Sequence, residues 1–419
     1  LLIIISVPTT HKTTLYKQFT QHSFTTSVIF RPSFAILPPF QHPPALLHYP
    51  PLRLPCSPML TLQNISLFQF KNYTDSRFLF TEKIVGICGK NGLGKTNLLD
   101  AVYLACFSKS YFSNTDAAMV HSGLQGMRVD AGFVKNGRPE NVVCIIRENG
   151  KKELSRNNEP INRFSHHIGH FPAVIIAPDD IALITGPSEV RRKMIDILLS
   201  QVNPRYINLL IQYNKILQQR NSLLKASAER GFVDKELLGV LTEQLLPPGR
   251  ELFAFRQSFL ADFLPRVANK YCQIAGSNEQ PLLTYYSPLL QNDFGSLLNI
   301  YMQKDILLRR TTLGIHKDDI EINMHNEPFK TFASQGQRKS LLFALKLCEF
   351  EVLKQSKDFA PLLLLDDIFE KLDEDRMGNL LQQVCIQNNG QVLITDTHKE
   401  RLQLSLKALG VPFQLIELE

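Results

Sequence analysis

Residues 83–107, KIVGICGKNGLGKTNLLDAVYLACF, restrict the fold more than any other stretch of this chain. A short apolar run, Ile84, Val85 and Ile87, reads as a buried strand. The next eight residues, Gly89, Lys90, Asn91, Gly92, Leu93, Gly94, Lys95 and Thr96, fit the phosphate-loop pattern G-x-x-x-x-G-K-[ST] at every defined position. An apolar segment at helical spacing follows, with Leu98, Leu99, Val102, Tyr103 and Phe107 expected on one face.

Each part of that order has a physical task. The glycines let successive backbone N–H groups converge on a phosphate. Lys95 is placed to reach β- and γ-phosphates, and the Thr96 hydroxyl to complete a Mg²⁺ shell. The helix that starts near Thr96 and Asn97 adds its positive end to the same site. A glycine-rich turn that binds nothing has no need of strand, loop, Lys-Thr pair and helix in register. The stretch predicts a nucleoside triphosphate site.

The 419 residues are 44% hydrophobic and 20% charged, enough material for a core and a length that suggests two or three domains. A formal net charge of +7 permits a nucleic-acid partner without establishing one. No apolar run reaches the roughly 20 residues of a membrane-spanning helix. The seven cysteines are scattered singly, which fits reduced thiols in a cytosolic protein better than a zinc site or a disulfide framework.

Residues 1–58 differ from the rest: they contain no Asp or Glu and are crowded with Pro, His, Ser and Thr. They lack the basic start of a secretory signal, and their sparse arginines and many prolines fit a transit peptide poorly. The expectation is a disordered upstream extension, with the protein proper starting at Met59. From Leu60 an alternating stretch predicts a half-buried strand, and residues 130–148 predict a hairpin turning at Asn136-Gly137. A second turn-and-strand unit is expected over 151–162, and an apolar strand over 171–180 that ends at Pro178.

Between residues 187 and 271 the period changes to about 3.6. Ser188 is the expected cap of a first helix, Asn203-Pro204 breaks it, and a second carries Tyr206, Leu210, Tyr213, Leu217 and Leu224. A third helix, with Leu237, Leu241 and Leu245, is expected to be interrupted at Pro247-Pro248. The α/β pattern returns near Thr311, and three constellations follow. FASQGQRKS, residues 332–340, is a polar turn opening a helix, where Ser334, Gly336 and Gln337 can form an anion site. PLLLLDD, residues 361–367, is a buried strand ending in two acids. Asp366 is suited to hold Mg²⁺ through water, and Asp367 to orient or deprotonate an attacking water. A last strand, residues 391–398, has His398 at its exit as a γ-phosphate contact.

Phosphate loop, helical insertion, Ser-Gln-Gly-Gln turn, acidic strand, residues 370–373 (EKLD) and a His-terminated strand follow one another as in an ABC-type ATPase head. Within that superfamily the chain resembles the RecF family. The shared stretches are FKNY (70–73), GKNGLGKTNLLDAVY (89–103), APDDIALITGPSEVRRKMID (177–196), LGIHKDDI (313–320), FASQGQRKS and LLLLDDIFEKLDEDR (362–376). The resemblance implies an α/β fold: a P-loop ATPase head with β-hairpin elements, its parts 59–186 and 311–419 separated by a mainly helical lobe, 187–310. It implies ATP and Mg²⁺ as cofactors, held by Thr96 and Asp366 for the metal. Lys95, Asp366, Asp367 and His398 would be catalytic, Asn72 would touch the nucleotide, and Ser334 and Gly336 would reach it from a second copy. It further implies an ATP-dependent homodimer that clamps gapped duplex DNA and single-strand/double-strand junctions. RecO and RecR would be partners in loading RecA and inducing the SOS response, in the cytoplasm at the nucleoid. Hydrolysis should be slow, since Asp367 holds its carboxylate about one methylene further from the water than a Glu would.

The chain departs from the family where Arg is common: it has Tyr111-Phe112 after the first helix. It also has Gly314-Ile315-His316-Lys317-Asp318-Asp319 for G-P-H-R-D-D. Basic clusters at Lys151-Lys152 with Arg156, at Arg191-Arg192-Lys193 and at Arg309-Arg310 read as solvated faces before phosphate contacts, and are the candidates if DNA is bound. The competing readings are an SMC- or Rad50-like chromosome protein and a transporter's nucleotide-binding subunit. The short helical lobe disfavours the first, and the basic charge disfavours the second.

Overall fold

The computed structural model describes residues 59–419 except 277–279, 369–373 and 388. The expectations for 1–58 and for 370–373 therefore lie outside the described residues. Strands β1 (Leu60–Phe70) and β2 (Tyr73–Leu79) form a hairpin, and β3 (Ile84–Cys88) feeds the phosphate loop and helix α1 (Lys95–Phe107). A meander of β4 (Met127–Lys135), β5 (Arg138–Ile146), β6 (Lys152–Arg156) and β7 (Glu159–Pro160) follows, then β8 (Ala173–Ile176) and the short α2 (Ala182–Thr185). Three long helices come next, α3 (Ser188–Val202), α4 (Pro204–Arg230) and α5 (Lys235–Ala275). After β9 (Leu282–Tyr286) come α6 (Phe294–Ile300), α7 (Met302–Leu308), β10 (Asp319–Met324), β11 (Glu327–Pro328) and α8 (Phe329–Phe332). The chain closes with α9 (Gln335–Lys357), β12 (Leu362–Leu365), α10 (Glu374–Leu381), β13 (Val392–Asp396), α11 (Lys399–Ala408) and β14 (Gln414–Glu417).

Five strands form a parallel sheet in the order β14-β3-β13-β12-β8, and six form an antiparallel sheet in the order β2-β1-β4-β5-β6-β7. Both hairpin expectations hold. Lys135 pairs Arg138 across Asn136-Gly137, both with positive φ, the left-handed pair a two-residue turn requires. The parallel strands are apolar throughout because both faces are covered. Alternate residues Val85, Ile87, Leu364 and Leu393 face one core with α1, while Ile84, Leu363, Leu365 and Ile394 face another with α3, α5 and α9.

Helix α1 corrects the one-face expectation. It packs between the two sheets, touching β1, β4 and β5 on one side and β8 and β13 on the other. Ala101, Leu104, Ala105 and Cys106 are therefore as buried as Leu98 and Val102. A helix hydrophobic all round is a buried helix.

Two further corrections concern the helical segment. Pro187, not Ser188, is the N-cap of α3 and makes no side-chain cap; Ser188 is the first helical residue. Pro247 and Pro248 do not interrupt the third helix: α5 runs unbroken for 41 residues with Pro247, Pro248 and Pro265 inside it. Two missing N–H donors are tolerated because packing holds that turn. Leu245, Leu246, Pro248 and Leu252 are buried there, and a Cβ on Gly249 would lie 2.4 Å from the Phe294 ring. Asn203 does end α3, and its side chain caps α4 by accepting from the Arg205 N–H. Strand β9, before residue 310, pairs with β10, after it, so an antiparallel sheet joins the helical segment to the C-terminal part. Among the described residues no helix is long and apolar enough to cross a membrane.

Candidate active site

Strands β3, β13 and β12 are adjacent and parallel, so whatever follows each of them leaves at one edge of the sheet. The phosphate loop follows β3, His398 follows β13 and Asp366-Asp367 follow β12. The sheet order therefore gathers residues separated by some three hundred positions of sequence.

Within the loop, the Lys95 ammonium is buried and donates to the carbonyls of Gly89 at 2.7 Å and Lys90 at 3.0 Å. Gly94 starts α1 with φ 104°, which side-chain-bearing residues rarely adopt. A Cβ there would also meet Asn72 Nδ2 at 2.5 Å and the Tyr73 hydroxyl at 2.8 Å. The FKNY stretch thus sits directly on the loop. Asn72 donates to the Leu93 carbonyl at 3.1 Å and accepts from Asn97 at 2.7 Å, while Tyr73 donates to the Gly94 carbonyl at 2.9 Å.

Thr96 and Asp366 meet as expected. The Thr96 hydroxyl lies 3.0 and 3.1 Å from the two Asp366 oxygens. The Asp366 carboxylate also accepts from Thr395 Oγ1 at 2.8 Å, and its own N–H donates to the Ile176 carbonyl. Burial pushes its pKa up, while the bonds from Thr395 and Thr96 pull it down. Asp367 leaves the strand in the left-handed region (φ 48°), with its N–H donated to Thr395 Oγ1 at 2.9 Å. His398 is exposed at the start of α11, its backbone N–H held by Asp396 at 3.1 Å.

The Ser-Gln-Gly-Gln turn is a capping box. Ser334 Oγ accepts from the Gln337 N–H at 3.2 Å, and Gln337 Oε1 accepts from the Ser334 N–H at 2.8 Å. Ser334 is exposed, and Gly336 is half-buried in the first turn of α9. The turn presents the positive end of a 23-residue helix to solvent.

A family model described as the RecF/RecN/SMC N terminal domain matches residues 61–415. The DNA replication and repair protein RecF of Flavobacterium johnsoniae is 42% identical over 357 residues, covering 85% of this chain and 99% of that protein. Its counterpart in Bacteroides fragilis is 37% identical over 362 residues, covering 86% and 97%. The chain belongs to the RecF family. A solved structure, described as the recombination mediator protein RecF-ATPrS in the RecFOR pathway, superposes with a TM-score of 0.76. That chain is 27% identical, and the match covers 83% of this one and 95% of that one. The α/β ABC-type ATPase head is thus the fold of this RecF-family chain.

The stretches that carry the departures are held by contacts within the chain, the first through the departing residue Tyr111 and the second through His316, Asp318 and Asp319, which it shares with the family pattern. The Tyr111 hydroxyl donates to Asp180, and its ring packs edge-on against Tyr103. Asp318 is buried against Arg256 at 2.9 Å, Asp319 takes a two-pronged bond from Arg191 at 2.7 and 2.9 Å, and His316 bonds Tyr213 at 2.8 Å. Two of the candidate DNA clusters are consequently engaged within the chain. Arg191 is held by Asp319 and Arg192 donates to the Asp318 carbonyl, which leaves Lys193 the exposed member. Lys151 pairs with Glu153, Lys152 with Asp116 and Arg156 with Glu140. Arg309 and Arg310 are exposed.

Sequence reasoning missed Thr395, the residue that joins both acids, and Tyr73, which holds Gly94. It also missed the buried pair of Lys71 with Asp100 at 2.6 Å, which fixes FKNY to α1. The signal for Thr395 was present: a polar residue inside an otherwise apolar strand needs a buried partner.

Proposed function

We propose that this chain is an ATP-dependent DNA-repair ATPase of the RecF type, in which two copies close around ATP to clamp DNA. The carrying observation is the Thr96–Asp366–Thr395 cluster at the strand edge that holds the phosphate loop. In this reading Lys95 and the N–H groups of 89–97 bind the phosphates, Asn72 contacts the nucleotide, and Asp367 orients the attacking water. His398 contacts the γ-phosphate. Ser334, Gly336 and Gln337 approach from the second copy, because an exposed helix start is an anion site awaiting a phosphate from outside its own chain. Thr96 and Asp366 are hard oxygen donors at compatible spacing and would hold Mg²⁺, which offsets phosphate charge when bound. The shorter arm of Asp367 makes hydrolysis a slow release step.

The clamp would act on gapped duplex and single-strand/double-strand junctions without base-specific contacts, since no base-reading motif is present. Within the three basic clusters, Lys193, Arg309 and Arg310 are exposed and are the side chains assigned to phosphates. The names of the relatives and of the superposed structure support a place in DNA repair and in a RecFOR pathway, and the reading adds RecO and RecR as partners, RecA loading and SOS induction.

The test is sedimentation with gapped duplex DNA, with and without ATP, on the wild-type chain and on Lys95→Met and Ser334→Arg. The expected result is an ATP-dependent DNA-bound dimer that Lys95→Met loses through nucleotide binding. Ser334→Arg loses it with nucleotide binding intact. A chain that hydrolyses ATP and ignores DNA at low salt overturns the reading in favour of a protein-coupled ATPase.

A further inference from the structure

A chain of buried and part-buried polar contacts runs from the phosphate-loop helix α1 to α9, the helix that the Ser-Gln-Gly-Gln turn opens. It begins one turn into α1 at Asp100, fully buried, which accepts from Lys71, from Ser110 Oγ at 2.6 Å and from the Tyr111 N–H at 2.7 Å. Tyr111 in turn donates its hydroxyl to Asp180. The other Asp180 oxygen accepts from the Ala177 N–H at 2.9 Å and faces the Lys346 ammonium at 3.8 Å. Lys346, buried on α9, also pairs with Glu349 at 3.6 Å and lies 5.9 Å from the centre of the Tyr111 ring.

Asp180 is the joint of this chain. One side reaches the nucleotide-binding helix through Tyr111, and another reaches α9 through Lys346. A third ends next to the catalytic edge, where the Ile176 carbonyl holds the Asp366 N–H at 2.8 Å. Lys346 lies twelve residues, about 18 Å of helix, beyond the Ser334 cap, and a helix carries a shift at one end to the other. Apolar side chains would pack these elements with a smaller desolvation cost; buried hydrogen-bonded charges instead select one register.

We propose that Tyr111 and Asp180 are positioning residues that set the Ser-Gln-Gly-Gln turn in register with the phosphate loop of the same chain. The turn a copy offers its partner is then aligned by its own nucleotide helix. This rests on the reading of the chain as an ATPase that closes as a dimer.

Tyr111→Phe tests it most gently, removing one hydroxyl and keeping the ring against Tyr103. On the full chain, affinity for a fluorescent ATP analogue, ATP-dependent dimerisation by sedimentation, and kcat against KM are measured together. The expected result is nucleotide affinity and KM within about twofold of wild type, with dimer affinity and kcat each down about tenfold, the scale of a lost bond to a charged group. Lys346→Met should produce the same split. The double variant should be no worse than the more impaired single one, because both act through Asp180. Wild-type behaviour of Tyr111→Phe overturns the proposal, as does a fall in nucleotide affinity equal to the fall in dimerisation. Additive losses in the double variant overturn it as well. If the wild-type chain does not dimerise with ATP, the dimeric reading itself falls and takes the proposal with it.

Discussion

Two of the buried polar networks among the described residues, each built from cations, acids and hydroxyls, end differently. In the helical segment, Arg256 is 2% exposed and fully engaged. Its guanidinium donates to the Ile315 carbonyl, Asp318, Asp196 and the Tyr206 hydroxyl, while Tyr285 donates to Asp318 from the other side. Beside it Arg220, with no exposed surface, is held by Asp305, Thr311 and Thr242. At the strand edge, Lys95, Thr96, Asp366 and Thr395 are bonded to one another or to the loop, yet Thr96 and Asp367 remain half-exposed. The first network is packed inside the protein, with Arg220 Nη2 and Asp318 Oδ1 left without a partner, and joins α3, α4, α5, β9 and the turn before β10. The second opens toward solvent with hydroxyl and carboxylate oxygens facing a row of backbone N–H groups. Residue type does not separate structure from chemistry here; access to solvent does.

That contrast can be broken by mutation. Arg256→Met leaves Asp318 and Asp196 without their cation, and removing one partner of a buried pair costs about 3–5 kcal/mol. Denaturant unfolding should register that loss while the fraction still folded binds nucleotide with wild-type affinity. A parallel loss of nucleotide affinity would mean that the two networks are one.

A pH titration sharpens the same point. Burial holds His316 down at about 4, and His167, bonded to the Ala105 carbonyl, also at about 4. The unfolded chain takes up these protons near pH 6.5, so each contribution is complete above that value and is lost as pH falls toward 4. The loss reaches about 3 kcal/mol per histidine at the lower end. His316→Gln should remove roughly half of what these two histidines contribute across that window, read as unfolding free energy against pH. An unchanged slope would show that His316 is not the neutral member of a buried network.

The smallest effect is expected at Thr395→Val, which deletes the hydroxyl shared by Asp366 and the Asp367 N–H. Turnover should fall about tenfold with nucleotide affinity within about threefold, since each lost bond is worth about 1 kcal/mol. Loss of folding stability without loss of turnover would place Thr395 in the structural class.

The edge was legible in sequence because its parts are contiguous. A strand, a glycine loop and a helix follow one another along the chain, and the acids end their own strand. What joins them was not. Thr395 meets Asp366 only because β13 lies between β3 and β12, an order no local pattern states. The basic clusters misled for the same reason: Arg191 reads as a surface cation until β10 brings Asp319 to it across 128 positions. The unbroken α5 was hidden because the prolines speak for local geometry, while Phe294 and the buried leucines decide the outcome. The all-round burial of α1 follows from the second sheet, whose closeness α1's own periodicity does not announce.

Gly94 carries a consequence for how such a site can change over generations. Its backbone angle excludes a side chain, and so do Asn72 and Tyr73, which occupy the space a methyl group would need. No single substitution relieves both barriers. A side chain gained at 94 therefore needs room made at both 72 and 73, some twenty residues away on the hairpin, and still has to take a left-handed backbone.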